Sequence, residues 1–252
     1  MYVAFVELDV FSGLSVFYPY TSTSAPTYPL PPPTTLLGAV AYPYMRQYHV
    51  EDIEDASAAV KLLNEIIYAT AGCEGYVITR DVERVYQAIY QRKERWKEEF
   101  KDLWYTIAVR GVVRYLDDKL YAVYLSKNPD VLEYAYGITR IGRKEGVVVV
   151  KSVTISELND VLVHGGYNTS FETIFYTPSS IVECEDATAV KIRMHKLAEA
   201  NFKHTTKLEV EEYYVPRGFT KMKCRLLSNG ALISVKDLYI AIPKQVMMQL
   251  KG

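Results

Sequence analysis

The residues best suited to chemistry fall in one decapeptide, Gly137-Ile138-Thr139-Arg140-Ile141-Gly142-Arg143-Lys144-Glu145-Gly146. Gly137, Gly142 and Gly146 permit positive φ and close backbone approach. Free N–H groups in such a loop can face phosphate oxygens. Arg140, Arg143 and Lys144 supply cations, and an arginine can grip a phosphate with two donors at once. There is no GK[ST] ending, so this is not a Walker loop. A plain solvated connection has the same composition, because glycine-rich loops are common turn chemistry.

Basic residues gather twice more. Lys191, Arg193, His195 and Lys196 are followed by Lys203, His204 and Lys207, with Glu199 as the opposing acid. Arg217, Lys221, Lys223 and Arg225 form a further group with no acid among them, close to Tyr213, Tyr214 and Phe219. Cations interleaved with aromatic rings suit single-stranded nucleic acid, where bases stack and phosphates pair. A solvated basic face reads the same way. Lys191, Arg193 and Lys196 join the glycine loop as candidate RNA-binding residues.

Catalytic patterns are sparse. His49, His164, His195 and His204 form neither HxxxH nor HExxH, so no metal or other cofactor is expected. His49 follows Tyr44, Arg46 and Tyr48, a set that could support metal-free RNA cleavage by general acid–base chemistry. The simpler reading is a surface histidine at a helix end. No GxSxG is present. Cys73, Cys184 and Cys224 are far apart with no CxxC, so three buried thiols are expected rather than a disulfide or a zinc site.

The elements that must position these residues show in the hydrophobic pattern. Residues 2–10 alternate and are rich in Val and Phe, as in a strand. A proline-broken stretch follows, with Pro19, Pro26, Pro29, Pro31, Pro32 and Pro33. Thr34 then reads as the N-cap of a short helix that should end near Pro43. Ile53, Ala56, Val60, Leu63 and Ile67 have helical spacing, and a second, charged helical stretch is expected over 81–104. Residues 106–116 and 120–125 read as strands of a hairpin turning at Asp117-Asp118-Lys119. Asn128-Pro129 opens a helix over 130–136 that Gly137 ends. Val147 to Val150 reads as a fully buried strand. The order strand, helix, strand, strand, helix, strand is that of an α+β, ferredoxin-like β-α-β-β-α-β unit. It would occupy residues 1–152 with a helical insertion at 51–104. Residues 153–252 read as a β-rich region packed on it, with an Asn229-Gly230 hairpin signal.

Composition narrows the classes. The chain has 252 residues, 49% of them apolar, enough for a real core. Its 29 Lys and Arg nearly balance 30 Asp and Glu, so coating of nucleic acid by bulk charge is excluded. The charge is uneven, net −4 over 51–104 and net +4 over 137–252. Residues 10–45 carry no charge at all, and tyrosine is abundant at 22 residues. A neutral segment this long is expected to be covered by the core or by a neighbour. No signal peptide or membrane span is visible, so the expected location is the cytoplasm, with no membrane partner.

Two motifs carry a family resemblance. TYPLPPPTTLLGAV, residues 27–40, resembles the N-terminal signature of the Cas-five family, RAMP-superfamily subunits of the type I CRISPR surveillance complexes called Cascade. Pro33, Thr34, Thr35, Leu36 and Gly38 fill that pattern. YGITRIGRKEGVVVV, residues 136–150, resembles the family's glycine-rich loop between the second helix and fourth strand of an RRM-like unit. The resemblance implies antiviral defence and a subunit that holds the 5′ handle of the crRNA. It also implies capping of the backbone-subunit filament, with that subunit and other Cascade proteins as partners. The loop and the insertion look most like the archaeal type I-A branch. In the type I-C branch the family member itself cuts precursor RNA, and the Lys-His pair associated with that activity is absent here before the glycine loop. A binding role without catalysis is therefore expected. A metal-independent repeat endoribonuclease and a protein-interaction subunit without RNA contact are the alternatives.

Overall fold

The computed structural model describes residues 1–18, 24–50, 57–86, 105–163, 166–197 and 209–248. It is a mixed α/β structure, strand-rich with few helices. The first part runs β1 (Tyr2–Val10), β2 (Ser24–Ala25), α1 (Pro33–Tyr48), β3 (Ile66–Gly72), β4 (Tyr76–Tyr86), β5 (Tyr105–Tyr115), β6 (Lys119–Ser126), α2 (Pro129–Glu133) and β7 (Val148–Glu157). The rest runs α3 (Leu158–Val161), β8 (Leu162–Val163), β9 (Ser170–Thr173), β10 (Thr177–Pro178), β11 (Val182–Cys184), β12 (Ala189–His195), β13 (Val210–Pro216), β14 (Met222–Leu226), β15 (Gly230–Val235), β16 (Leu238–Pro243) and α4 (Lys244–Met248).

A sheet of order β3-β6-β1-β7 organises the molecule, and every neighbouring pair in it is antiparallel. Its central strand β1 is buried on both faces. Ala4, Val6, Leu8 and Val10 share a core with Leu36, Leu37 and Val40 of α1. Val3 and Phe5 point to the other face, against Ile174, Phe175, Ile233 and Ile240. The C-terminal strands therefore pack on the sheet face that α1 leaves open.

Helix α1 differs from expectation at both ends. Pro33 occupies the first helical position and Pro32 the cap, without a side-chain cap, so Thr34 already lies inside the helix. Pro43 does not end it; the helix continues to Tyr48. A proline interrupts only its own hydrogen bond and the neighbouring carbonyl's room. Here the apolar face, held in the core, carries the helix past that loss. His49 ends it in a left-handed conformation, φ 51°, with its N–H donated to the Met45 carbonyl.

The expected helical insertion is not found where residues 57–86 are described. A short 3-10 turn spans Ala58–Leu62, and β3 and β4 follow. Residues 51–56 and 87–104 lie outside the described residues. Strand β3 is buried on both faces, so apolar residues fall at nearly every position and mimic helical spacing. The segment Ile66-Ile67-Tyr68-Ala69-Thr70 is rich in β-branched and aromatic residues, which favours a strand.

Both hairpin expectations place a turn correctly and its partners wrongly. β5 and β6 join at Asp117-Asp118, yet β5 pairs with β4 and β6 with β1 and β3. Gly230 donates to the Leu227 carbonyl in a turn, but β14 pairs with β11 and β9 while β15 pairs with β16 and β8. Residues 147–150 are not fully buried either: Val148 is, and Val147 and Val149 are exposed on an alternating edge strand.

Cysteine usage also departs from expectation. The register of β11 on β14 sets Cys184 directly opposite Cys224, and the two form a disulfide. Cys73 remains a free, buried thiol. A separation of 40 residues carries no local motif, so the pairing follows from strand register alone. No helix among the described residues is long and apolar enough to cross a membrane.

Candidate nucleic-acid interface

The glycine loop projects from a braced base. The Asn128 side chain accepts the Asp130 N–H, at 3.0 Å, and starts α2 with Pro129 in its first turn. After Glu133 the chain tightens to a 3-10 turn, Tyr134–Gly137. Gly137 lies against α1: a Cβ there would sit 2.5 Å from Pro43 Cβ. Ile138 and Ile141 are buried in the main core and pin the loop from below. Ile141 N–H donates to the Gly146 carbonyl and Gly146 N–H to the Arg143 carbonyl, both at 2.9 Å. Val148 N–H donates to the Thr139 carbonyl. Ser12 Oγ donates to the Glu145 carbonyl, which ties the loop to the strand-end segment after β1.

This internal bonding changes how the glycines read. Gly146 is buried, and a Cβ there would lie 2.2 Å from the Ile141 carbonyl oxygen. Gly142 has φ +75°, and its vacant Cβ direction faces Val16 and the Ser15 carbonyl. The glycines thus serve the loop's own turn and packing. Ile141, Gly146, Val147 and Val148 N–H groups are used within the fold, so an anion would meet side-chain cations before any amide cradle.

Arg140 and Lys144 lie outward, and Arg143 is partly covered. Arg140 is exposed. Arg143 lies over the Phe17 ring, 5.3 Å from its centroid, and its Nε is 3.6 Å from Glu145. Lys144 Nζ is 3.9 Å from Glu145, and its side chain is 82% exposed. Arg143 and Lys144 share Glu145. Exposed pairs of this kind contribute only about 0–1 kcal/mol, so a phosphate can displace Glu145 at small cost.

Lys191, Arg193 and Lys196 belong to β12 and its end, and the sequence hid their counter-ions. Strand β13 pairs with β12 and sets Glu212 opposite Arg193. Glu212 lies 4.0 Å from Lys191 and 3.8 Å from Arg193, and Lys196 is 3.5 Å from Glu209. Lys203, His204, Lys207 and Glu199 lie outside the described residues. Tyr213 and Tyr214 are buried, so they are not open stacking surfaces; Lys191 Nζ covers the Tyr214 ring at 5.1 Å. Arg217 Nε donates to the Ala189 carbonyl and Arg225 pairs with Glu183.

The neutral N-terminal segment runs between the two basic groups. Phe17, beneath Arg143, bridges to Thr27, and the neighbouring Tyr28 donates its hydroxyl to the Arg193 carbonyl at 3.1 Å. Tyr18 stacks on Tyr28 with centroids 4.1 Å apart. Part of this segment is therefore covered by the chain's own core.

His49 is exposed at the end of α1, and His164 lies outside the described residues. Among the described residues no His, Cys, Asp and Glu cluster could hold a metal. Beside His49 stands an aromatic group that joins Tyr44 and Tyr48 to a third ring, Tyr134. Tyr44, Tyr48 and Tyr134 bring their ring centroids within 5.0, 5.3 and 6.2 Å of one another. Tyr134 donates its hydroxyl to that of Tyr48 at 3.0 Å, and this bond pushes the Tyr134 phenol up to about 12. Tyr44 and Tyr48 stand four residues apart on one helix face; nothing local announces Tyr134 as their partner.

No family model matches the sequence. The CRISPR system aCascade subunit Cas5 1 of Saccharolobus solfataricus is 32% identical over 161 residues. That alignment covers 62% of this chain and 66% of the relative, just under two thirds of its length. The CRISPR-associated protein Cas5 2 of the same organism is 26% identical over 215 residues, 81% of this chain and 79% of the relative. A CRISPR protein from Archaeoglobus fulgidus, known from its crystal structure, shares the fold with a TM-score of 0.58 at 16% identity, covering 96% of this chain and 99% of that chain. The motifs at 27–40 and 136–150 and these relatives agree: the curated relatives of this chain are Cas5 proteins of CRISPR systems.

Proposed function

We propose that the chain is a subunit of an archaeal type I-A Cascade, in which it binds the 5′ handle of crRNA and caps the filament of backbone subunits without cutting RNA. The observation that carries this reading is the braced loop that carries Arg140, Arg143 and Lys144 together, with Glu145 beside Arg143 and Lys144. The relative named as an aCascade subunit supports the assembly. The strand order β7-β1-β6-β3, with α1 and α2 as connections, supports a ferredoxin-like, RRM-like unit at residues 1–152. Residues 153–252 then form the β-rich part packed on it.

The test is salt-titrated binding of cognate repeat RNA to the assembled complex, in EDTA. Replacing Arg140 and Arg143 by Ala should cost roughly 1.5–3 kcal/mol for each charged hydrogen bond lost. The log–log salt slope should fall by about 0.7 per lost contact on single-stranded RNA. Unchanged affinity and slope would remove the loop and leave Lys191, Arg193 and Lys196 as the site. Site-specific cleavage abolished by His49→Ala would instead establish the endoribonuclease reading.

A further inference from the structure

We infer that the tyrosines at the end of α1 form a stacking platform for unpaired RNA bases, continuous with the glycine loop; the inference rests on the loop's proposed role in binding RNA. The rings of Tyr44, Tyr48 and Tyr134 are already assembled, and the Tyr134–Tyr48 hydrogen bond fixes two of them relative to each other. A platform formed in advance loses little freedom when a base lands on it. Tyr48 is 56% exposed although it belongs to the same helix face that is buried further back in α1. The core stripe thus runs out onto the surface and ends in open aromatic area.

Position links this area to the loop. Tyr134 opens the 3-10 turn whose last residue is Gly137, the first residue of the loop. Gly137 packs on Pro43, the neighbour of Tyr44. Tyr136, 62% exposed, belongs to the same turn and is held by its hydroxyl bond to the Val153 carbonyl. Arg46 and His49, both exposed, flank Tyr48 on the helix end. A strand whose phosphates meet Arg140, Arg143 and Lys144 would therefore have rings within reach for its adjacent bases. Every base has a π-face, so such stacking tolerates sequence. A double helix offers no unpaired face and should gain nothing here. The bond from Tyr134 to Tyr48 uses the Tyr134 proton and holds the two rings in place.

The test uses the full-length chain and two fluorescein-labelled 12-nucleotide probes, an oligoadenylate and its abasic counterpart with the same phosphates. Oligoadenylate should bind more tightly. Tyr48→Ala should weaken oligoadenylate by about 5- to 150-fold, the range that loss of one stacked base gives, and leave the abasic probe unchanged. Tyr48→Phe, which keeps the ring, should retain most of the preference and shows that a loss in Tyr48→Ala is not a loss of fold. Arg140→Ala with Arg143→Ala should weaken both probes alike. Equal weakening of both probes by Tyr48→Ala, or no effect on either, overturns the platform while the arginine result decides the loop separately. Silent arginine variants beside a base-specific loss in Tyr48→Ala would overturn the loop and keep the platform. A wild-type chain that binds neither probe overturns both.

Discussion

Gly142 and Gly38 separate what a glycine does from where it stands. Gly142 needs its φ of +75°, and any side chain would press on Val16 Cγ2 at 2.7 Å. Gly38 sits inside α1 with nothing within 4 Å of an added Cβ. Gly142→Ala should therefore lose about 1–3 kcal/mol of stability. Gly38→Ala should gain up to about 1 kcal/mol, because alanine removes the entropic cost of glycine in a helix. Thermal unfolding checks both, at about 2–4 °C per kcal/mol for a chain of this size. A Gly142→Ala variant as stable as the parent would show that the loop does not need that backbone. At this scale the cations of the loop were legible from residue type alone. Their environment was not: Phe17 beneath Arg143 and Glu212 beside Lys191 and Arg193 come from distant segments. The sequence also suggested that the glycines open the backbone to a ligand, whereas here Gly142 faces Ser15 and Val16.

Among elements, local signals located reversals and some termini, missed both ends of α1, and placed partners poorly. The strand at Tyr2–Val10 and the Asn128-Pro129 helix start follow from alternation and capping, which are local. Turn residues at Asp117-Asp118 say that the chain reverses; they do not say which strand it returns to, and that choice depends on which faces the core covers. The disulfide is the sharpest instance, since only the β11–β14 register brings Cys184 to Cys224. The link closes a loop of 40 residues, whose constraint on the unfolded chain is typically about 2–4 kcal/mol. Reduction should lower the unfolding temperature accordingly. In denaturant without reductant one thiol, Cys73, should titrate; with reductant all three should. Three thiols without reductant would mean that the pair does not form. In the native protein Cys73 should react slowly, because burial pushes its thiol up to about 12 and leaves almost no thiolate near neutrality.

For the molecule as a whole, the abundance of tyrosine was plain in the sequence and its purpose was not. The structure shows phenols tying separate elements together through carbonyls. Tyr68 of β3 donates to Ala241 of β16, Tyr115 of β5 to Pro29, Tyr124 of β6 to Leu36 of α1, and Tyr76 of β4 to Pro216 of β13. These bonds satisfy phenols that are buried or, for Tyr76, partly buried, and each disappears if the phenol ionises. Desolvation raises the phenols of Tyr68, Tyr115, Tyr124, Tyr176 and Tyr213 well above their ordinary value, and holds Tyr28 at about 12. A group whose folded value is raised contributes stability that is intact below its unfolded value, near 10 for tyrosine, and is lost as the pH climbs beyond it. The folded chain then holds more protons than the unfolded one. Each such tyrosine should steepen the fall by about 1.4 kcal/mol per pH unit above roughly 10. The urea midpoint should accordingly vary little with these groups from pH 7 to 9 and drop sharply above 10, with several phenols acting together. Tyrosinate absorbance should rise in two stages, exposed rings first and the buried ones only as the chain unfolds. Complete ionisation near pH 10 in a chain that stays folded would show that these rings are open to water and do not hold the sheets together.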